Sequence, residues 1–227
     1  MMTVIRELKI KISPWKVYRL LGYDTNQQVP KKIGVYVKRS INYFHSVMDP
    51  QALYVERGVK RMDNDTVVLR EDITLRSTHL TRAIKKCDKV ILFLVTVGEK
   101  LEREISTLMK KKKMTEAYIL DAIGSVAVEE AAASLQAMID KDLETQHKRT
   151  SIRFSPGYCD WKLEEQKKIF QVLDNHLIDV NLSASCLMSP RKSVSGIFGI
   201  GDSMYVDRTI TNPCKLCTLQ DCKVRRK

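Results

Sequence analysis

The sequence predicts a single α+β domain that has a mostly antiparallel sheet, several helices and a C-terminal tail containing cysteines. Two observations predict this class. Helical patterns and short apolar strands follow one another up to residue 150, and shorter strands, turns and loops come after it. No repeat or low-complexity linker divides the chain. We therefore place the domain at residues 1–210 and a basic tail at residues 211–227.

Size and composition are those of a globular protein with one core. The 227 residues are 44% hydrophobic and 29% charged. The longest apolar run, "VILFLVTV" at residues 90–97, falls short of the roughly 18 residues of a membrane span and predicts a buried strand. The N-terminus has no cleavage-site pattern, so we expect a cytoplasmic protein without a signal peptide or a membrane partner. In that compartment the six cysteines are expected to be thiols or metal ligands.

Local patterns predict the order of the elements. Helices are predicted over residues 14–21, 29–48, 77–87, 99–114, 116–141 and 163–174. Strands are predicted on both sides of an Asp-Asn-Asp turn at residues 63–65, and at residues 89–98, 151–154, 181–188 and 193–201. Residues 203–210 are predicted to be the antiparallel partner of the last strand. Gly199 and Gly201 match only part of a dinucleotide fingerprint, and no helix follows them.

The longest predicted helix, residues 116–141, carries a carboxylate beside its apolar stripe. The stripe consists of residues spaced three or four apart, namely Leu120, Ile123, Ala127, Ala131, Leu135 and Met138. Glu129 points away from this stripe, whereas Glu130 lies at its edge. A half-buried carboxylate needs a partner. That partner is either a cation of the same chain or a ligand in a cleft.

A second candidate site is the stretch "RFSPGYCDW" at residues 153–161. Pro156 and Gly157 predict a turn, and such turns expose backbone groups that no strand ladder uses. Arg153 beside these groups, with Tyr158 following, suits a ligand that bears a carboxylate or a planar polar group. The alternative is a surface arginine next to an ordinary β-turn.

Several motifs in sequence order resemble the activation domain of cobalamin-dependent methionine synthase. They are R-x-x-x-G-Y at residues 153–158, P-x-x-S-V-S-G at residues 190–196 and D-S-x-Y at residues 202–205. The helical segment "IGSVAVEEAAASLQ" also looks like a helix of that family, and together the motifs span residues 121–206. Nothing in the chain resembles the barrels or the cobalamin-binding module of the full synthase. The resemblance therefore implies a free-standing relative that acts on a separate corrinoid protein.

The resemblance implies binding of S-adenosylmethionine and a part in the reductive reactivation of cobalamin. One electron and a methyl group from S-adenosylmethionine convert cob(II)alamin back to methylcobalamin. The implied partners are an electron donor and either a methionine synthase without its own activation domain or another corrinoid protein. The task of such a domain is mainly to position the methyl donor over cobalt.

The resemblance also implies roles for individual residues. Arg153 would pair with the carboxylate of the ligand, Phe154 would contribute backbone contacts, and Glu130 would accept from an ammonium or another donor. Tyr158 would face cobalt, which makes it the candidate catalytic residue, and Tyr205 would line the ligand pocket. An aspartate that the family supplies from its N-terminal part has no counterpart that the sequence identifies.

The tail carries Cys214, Cys217 and Cys222, followed by basic residues. Cys-x-x-Cys spacing lets two thiolates bind one metal, but three cysteines are one short of the usual four ligands of zinc or an iron–sulfur cluster. Cys159, which stands where the synthase domain has a proline, is the candidate fourth ligand, and Cys186 is an alternative. An iron–sulfur cluster would suit electron delivery and zinc would clamp the tail. Free thiols without a metal are the third alternative.

The formal net charge of +12 fits an acidic partner, a polyanion or good solubility. Lys and Arg are scattered along the chain apart from a cluster at residues 110–113, and no nucleic-acid-binding motif accompanies them. Two alternatives to reactivation remain. One is a non-catalytic chaperone of corrinoid proteins or sensor of S-adenosylmethionine, and the other, with less support, is a nucleic-acid-binding protein.

Overall fold

The computed structural model describes residues 1–24, 28–206 and 217, and it confirms the α+β class. The elements in chain order are β1 (Met2–Ile5), α1 (Pro14–Leu20), α2 (Lys31–Val47), β2 (Gln51–Met62), β3 (Thr66–Leu69), β4 (Thr74–Arg76), α3 (Thr78–Ala83), β5 (Lys89–Thr96), α4 (Lys100–Lys110), α5 (Met114–Glu144), β6 (Lys148–Thr150), α6 (Gln166–Val172), β7 (Asn181–Leu182), β8 (Met188–Ser189) and β9 (Ser193–Asp202). Short 3-10 turns occupy Arg70–Asp72, Leu163–Glu165 and Asn175–Ile178. Within the described ranges, no helix is both long and apolar enough to cross a membrane.

Most of the described strands form one antiparallel sheet of seven strands. Six of them lie in the order β4-β3-β2-β5-β9-β6, and β1 pairs with the first half of β2. The long strand β2 pairs with β1 and β5 through its first half and with β3 through its second half. Because β5 pairs with β2 on one side and with β9 on the other, the predicted central strand is confirmed.

The sheet is covered on both faces, and β5 contributes to both cores. Ile91 and Phe93 belong to the core that the sheet forms with α1, α2, α4 and α5. Val90 and Leu92 belong to the core on the other face, which includes residues of α3 and α6. Successive strand residues point to opposite faces. A strand covered on both sides therefore requires an unbroken apolar run, as residues 90–95 provide.

Helix α5 crosses the first face and is longer than predicted. The predicted stripe is buried as far as Leu135, but its last member, Met138, is 42% exposed. The buried line continues instead through Ile139 and Leu143, because it keeps a spacing of four residues after Leu135. The prediction for Met138 is therefore wrong.

Two strand predictions near the C-terminus are also wrong. Residues 203–206 form a turn, and β9 pairs with β5 and β6 instead, while residues 207–210 lie outside the described ranges. The predicted strand at residues 181–188 is a small hairpin of β7 and β8. Cys186 has a φ of +61° in its turn, and such a residue ends an extended strand. The N-terminal strand β1 was not among the predicted elements.

Strand β9 approaches the connection between α3 and β5 too closely for side chains. A Cβ at Gly199 would lie 2.3 Å from the Cys87 sulfur, and one at Gly201 would lie 2.2 Å from the carbonyl oxygen of Lys86. The two glycines therefore allow β9 to pack against the connection between α3 and β5. Burial, together with the charge of Asp88, raises the pKa of the Cys87 thiol to about 12, which identifies Cys87 as a core residue.

We expect Gly201→Ala to lower the free energy of unfolding by about 1–3 kcal/mol, because the added methyl group would meet a backbone oxygen that cannot turn aside. Gly34→Ala in α2 is the matched control. A Cβ there meets only the Tyr18 hydroxyl, at 3.6 Å, so a gain of about 0.5–1 kcal/mol is expected from helix propensity. Urea unfolding of the three proteins measures both effects. Equal stability of the two variants would contradict the close approach of Gly201 to the backbone of Lys86.

Candidate functional site

The predicted Pro-Gly turn is present and is attached to β9. Phe154 and Ile197 exchange two backbone hydrogen bonds, each 2.8 Å long, immediately before the turn. Gly157 has a φ of +90° and donates its N–H to the carbonyl of Trp161 at 2.7 Å. The N–H of Tyr158 donates back to the carbonyl of Ser155 at 3.1 Å. The turn is thus closed by its own backbone and held at the edge of the sheet.

Asp160 fastens the far side of this turn to the start of α3. Its carboxylate accepts from the Ser77 hydroxyl at 2.6 Å and from the Thr78 N–H at 2.7 Å, and it lies 2.8 Å from Nδ1 of His79. Burial alone would raise the pKa of Asp160, but the hydrogen bonds from Ser77, His79 and the backbone outweigh burial and lower the pKa to about 2. Asp160 is therefore an ionised anchor of the turn.

A pocket of about 370 Å³ lies between this turn, α6, the β7–β8 hairpin and the start of β9. Its polar wall includes Ser155, Tyr158, Gln166, Cys186, Arg191 and Ser195. Leu163 and Leu187, both exposed, add apolar surface to the wall. This volume is in the range of pockets that hold nucleotide-sized or drug-sized ligands. Tyr158 is the predicted site residue that lines it.

Arg153 faces the other side of the sheet edge, toward α5. Its guanidinium lies 3.7 Å from the carboxylate of Glu129 and donates to the Glu129 carbonyl oxygen at 3.5 Å. Both side chains are mostly buried, with 23% and 29% exposed. The sequence predicts that Glu129 points away from the apolar stripe of the helix and that Glu130 binds the ligand. The structure brings Glu129, and not Glu130, to Arg153.

Glu130 has a partner in α1, where Lys16 forms a salt bridge with its carboxylate. The Lys16 side chain is 57% exposed, while that of Glu130 is 22% exposed. The expectation of a partner for this half-buried carboxylate is confirmed, and the partner is a cation of the same chain. The role of Glu130 in holding a ligand stays a prediction.

Phe154 and Tyr205 lie in different surroundings. The Phe154 side chain is fully buried and packs against the rings of Tyr158 and Trp161. Tyr205 is 62% exposed in the turn that follows β9. Ser195 and Asp202 are near opposite ends of β9, about 23 Å apart at about 3.3 Å per residue, so Tyr205 lies far from the pocket. The structure does not gather the predicted residues into one cavity.

A row of polar residues on α5, which the sequence analysis did not single out, joins this helix to the site. Asp121 and Ser125 both contact the ammonium group of Lys192, each at 2.8 Å. Further along the helix, the amide of Gln136 donates to Thr150 and Ser151. The spacing of four residues between Asp121, Ser125 and Glu129 is the sequence signal that predicts one face of a helix. Lys192 directly precedes the pocket wall on β9.

Two of the three tail cysteines fall outside the described ranges. Cys214 and Cys222 are not described, and Cys217 is described alone and is half-buried. Cys159 is half-buried with a φ of +52°, and Cys186 is buried in the pocket wall. Among described residues, no group of three or more His, Cys, Asp or Glu side chains could hold a metal ion. The metal site therefore stays a prediction from the sequence.

The turn, the P-x-x-S-V-S-G segment and α5 lie next to one another in the structure. The chain matches the family described as vitamin B12 dependent methionine synthase, activation domain, over residues 79–207. This match covers more than half of the chain, so the protein belongs to that family. A search of curated protein sequences found no match.

A solved structure shares the fold. It is the MetH reactivation domain bound to AdoHcy, with a TM-score of 0.64 and 15% sequence identity. The alignment covers 88% of this chain and 78% of that chain, so the likeness extends well beyond residues 121–206. At this level of identity the comparison establishes the fold.

We expect Asp160→Asn to lower the free energy of unfolding at neutral pH, because an amide offers one acceptor oxygen to donors that now share two. The pKa of Asp160 is lowered from 3.8 to about 2, so its contribution is complete above pH 4 and is lost as the pH falls through 2. The stability difference between wild type and variant should therefore shrink between pH 4 and pH 2. Asp142→Asn, at an exposed acid on α5, is the control. If the difference in unfolding free energy between wild type and Asp160→Asn did not change with pH, Asp160 would not be an ionised anchor of the turn.

Proposed function

We propose that this protein binds S-adenosylmethionine and supports the reductive reactivation of cobalamin on a separate protein. The partner is a corrinoid protein or a methionine synthase that lacks its own activation domain. The observation that carries the proposal is the family's R-x-x-x-G-Y stretch, whose tyrosine forms part of a pocket wall of suitable size. The related fold of a reactivation domain bound to AdoHcy supports the same ligand class.

The charges near the turn match those of the proposed ligand. S-adenosylmethionine carries a carboxylate, an ammonium group and a sulfonium group. Arg153 and Glu129 lie side by side next to the turn, so an exchange of partners would give the ligand carboxylate to Arg153 and a ligand cation to Glu129. This arrangement assigns to Glu129 the role that the sequence analysis gave to Glu130.

The contribution of the chain to the reaction is positioning. An external donor supplies one electron, and S-adenosylmethionine supplies the methyl group that restores methylcobalamin on the partner. Tyr158 lines the pocket, and we propose that it contacts the ligand and the approaching corrinoid. We also propose that the tail cysteines bind an iron–sulfur cluster or a zinc ion.

We expect Arg153→Ala to weaken binding of S-adenosylmethionine by about tenfold to a hundredfold, because the variant loses a charge-assisted hydrogen bond to the carboxylate. Calorimetric titration measures the affinity, alone and with a cobalamin-loaded partner. Arg103→Ala is the control, since that arginine pairs with Glu99 on the surface of α4. No binding by the wild type under both conditions would contradict the proposal. A wild type that binds but does not reactivate a cob(II)alamin partner with supplied reductant would be a chaperone or sensor.

Glu129 and Glu130 give a second prediction with a built-in control. We expect Glu129→Gln to weaken binding of S-adenosylmethionine by about tenfold, because the ligand cation loses its carboxylate. Glu130→Gln should leave the affinity within about twofold, because Lys16 already holds that carboxylate. The same titration compares the two variants. If Glu130→Gln weakened the affinity and Glu129→Gln did not, Glu130 would be the ligand-binding carboxylate, as predicted from the sequence.

A further inference from the structure

The turn between α4 and α5 exposes basic and apolar side chains together. The four lysines at residues 110–113 are all exposed, and Met109, Met114 and Tyr118 beside them are 51%, 60% and 59% exposed. These seven residues are called the α4–α5 corner below. Within the part of the chain that the structure describes, none of the four lysines forms a salt bridge. Their charges are therefore available to a partner.

Lys112 has a backbone conformation that favours glycine. Its φ is +57°. The N–H of Lys113 donates to the Leu108 carbonyl and the N–H of Lys112 donates to the Met109 carbonyl, each at 3.0 Å. These two bonds end α4 in a Schellman motif, in which the left-handed residue is usually glycine. A side chain in this conformation destabilises the turn, so the fold does not explain a lysine at this position.

Lys113 is also an unfavourable residue for its position. It is the N-cap of α5, and among the described residues its side chain forms no capping hydrogen bond. Ser, Thr, Asp and Asn are the preferred N-caps, and a positive charge near a helix N-terminus opposes the helix dipole. Two neighbouring lysines thus stand where other residues would stabilise the fold better. Such departures from local preference are typical of functional surfaces.

The composition of the corner indicates the kind of partner. Residues 109–118 contain no arginine, the side chain best suited to bidentate binding of nucleic-acid phosphates and bases. Lysine is depleted at the centres of protein–protein interfaces. An anionic lipid surface, in contrast, attracts clustered lysines and accepts apolar side chains between its headgroups. A lipid surface therefore fits both the charges and the exposed apolar side chains.

We propose that the α4–α5 corner binds the surface of an anionic lipid bilayer. The lysines contact the headgroups, and Met109, Met114 and Tyr118 insert between them. Met114 and Tyr118 are four residues apart on α5 and so lie on the same side of the helix. Such contact needs no membrane span, and it replaces the sequence-based expectation of no membrane partner. The corner contains none of the residues assigned to ligand binding, so the inference is independent of the proposed function.

The first test uses Lys112→Gly and vesicles of phosphatidylcholine with phosphatidylserine. Cosedimentation should show binding by the wild type that falls with added salt and is at least tenfold weaker to pure phosphatidylcholine. Lys112→Gly should bind about fivefold more weakly, which is the contribution of one lysine at an anionic surface. Its melting temperature should equal or exceed that of the wild type, because glycine suits the φ of +57°. Unchanged binding by this variant would overturn the inference.

The second test compares two double variants with the same change in net charge. Lys110→Gln with Lys113→Gln should weaken vesicle binding about twentyfold. Lys85→Gln with Lys167→Gln is the matched control, because both lysines are exposed and lie on elements that cover the other face of the sheet. The control should stay within about threefold of the wild type. An equal loss in the two double variants would show attraction by net charge alone and overturn the inference.

The third test removes the apolar side chains and keeps the charge. Met109→Gln with Met114→Gln should weaken vesicle binding about tenfold, because amide side chains do not insert between headgroups. Vesicle binding that this change leaves intact would show a merely basic patch and overturn the inference.

The other possible partners and the proposed function are tested separately. A wild type that binds a duplex RNA oligonucleotide through these lysines and does not bind the vesicles would overturn the inference in favour of nucleic acid. A wild type that binds S-adenosylmethionine but not the vesicles would overturn the inference and leave the proposed function standing.

Discussion

The candidate site depends on the antiparallel pairing of β9 with β5. The pairing runs from Lys89 opposite Ile200 to Thr96 opposite Ser193, so the whole of β9 is fastened to a strand that is buried on both faces. Three parts of the site are attached to β9. The Pro-Gly turn joins it through Ile197, the pocket wall includes its first residues, and Lys192 directly before it binds α5. The sheet thus positions the loops that form the candidate site.

The same pairing explains why the predicted residues separate. Arg153 and Phe154 are consecutive at the edge of the sheet, where neighbouring side chains point to opposite faces. Phe154 therefore enters the core behind Tyr158, and Arg153 reaches Glu129 on α5. A motif that looks like one site in the sequence serves two sides of a sheet edge.

Local chemistry predicted much of this fold, while contacts between distant elements were beyond it. Helix α1 starts after Ser13 and ends just before Gly22, whose φ of +93° suits a glycine, as the sequence indicates. The choice between Glu129 and Glu130 depends instead on how α5 is rotated against the sheet, and adjacent residues on a helix differ by about 100°. No spacing rule contains this information.

The state of each polar group in the free protein determines what it contributes to binding. Arg153 and Glu129 are already paired, so a ligand must replace that contact, and only the difference between the two sets of interactions adds to the affinity. The ion pair therefore suits recognition of charge, where wrong ligands fail to replace it.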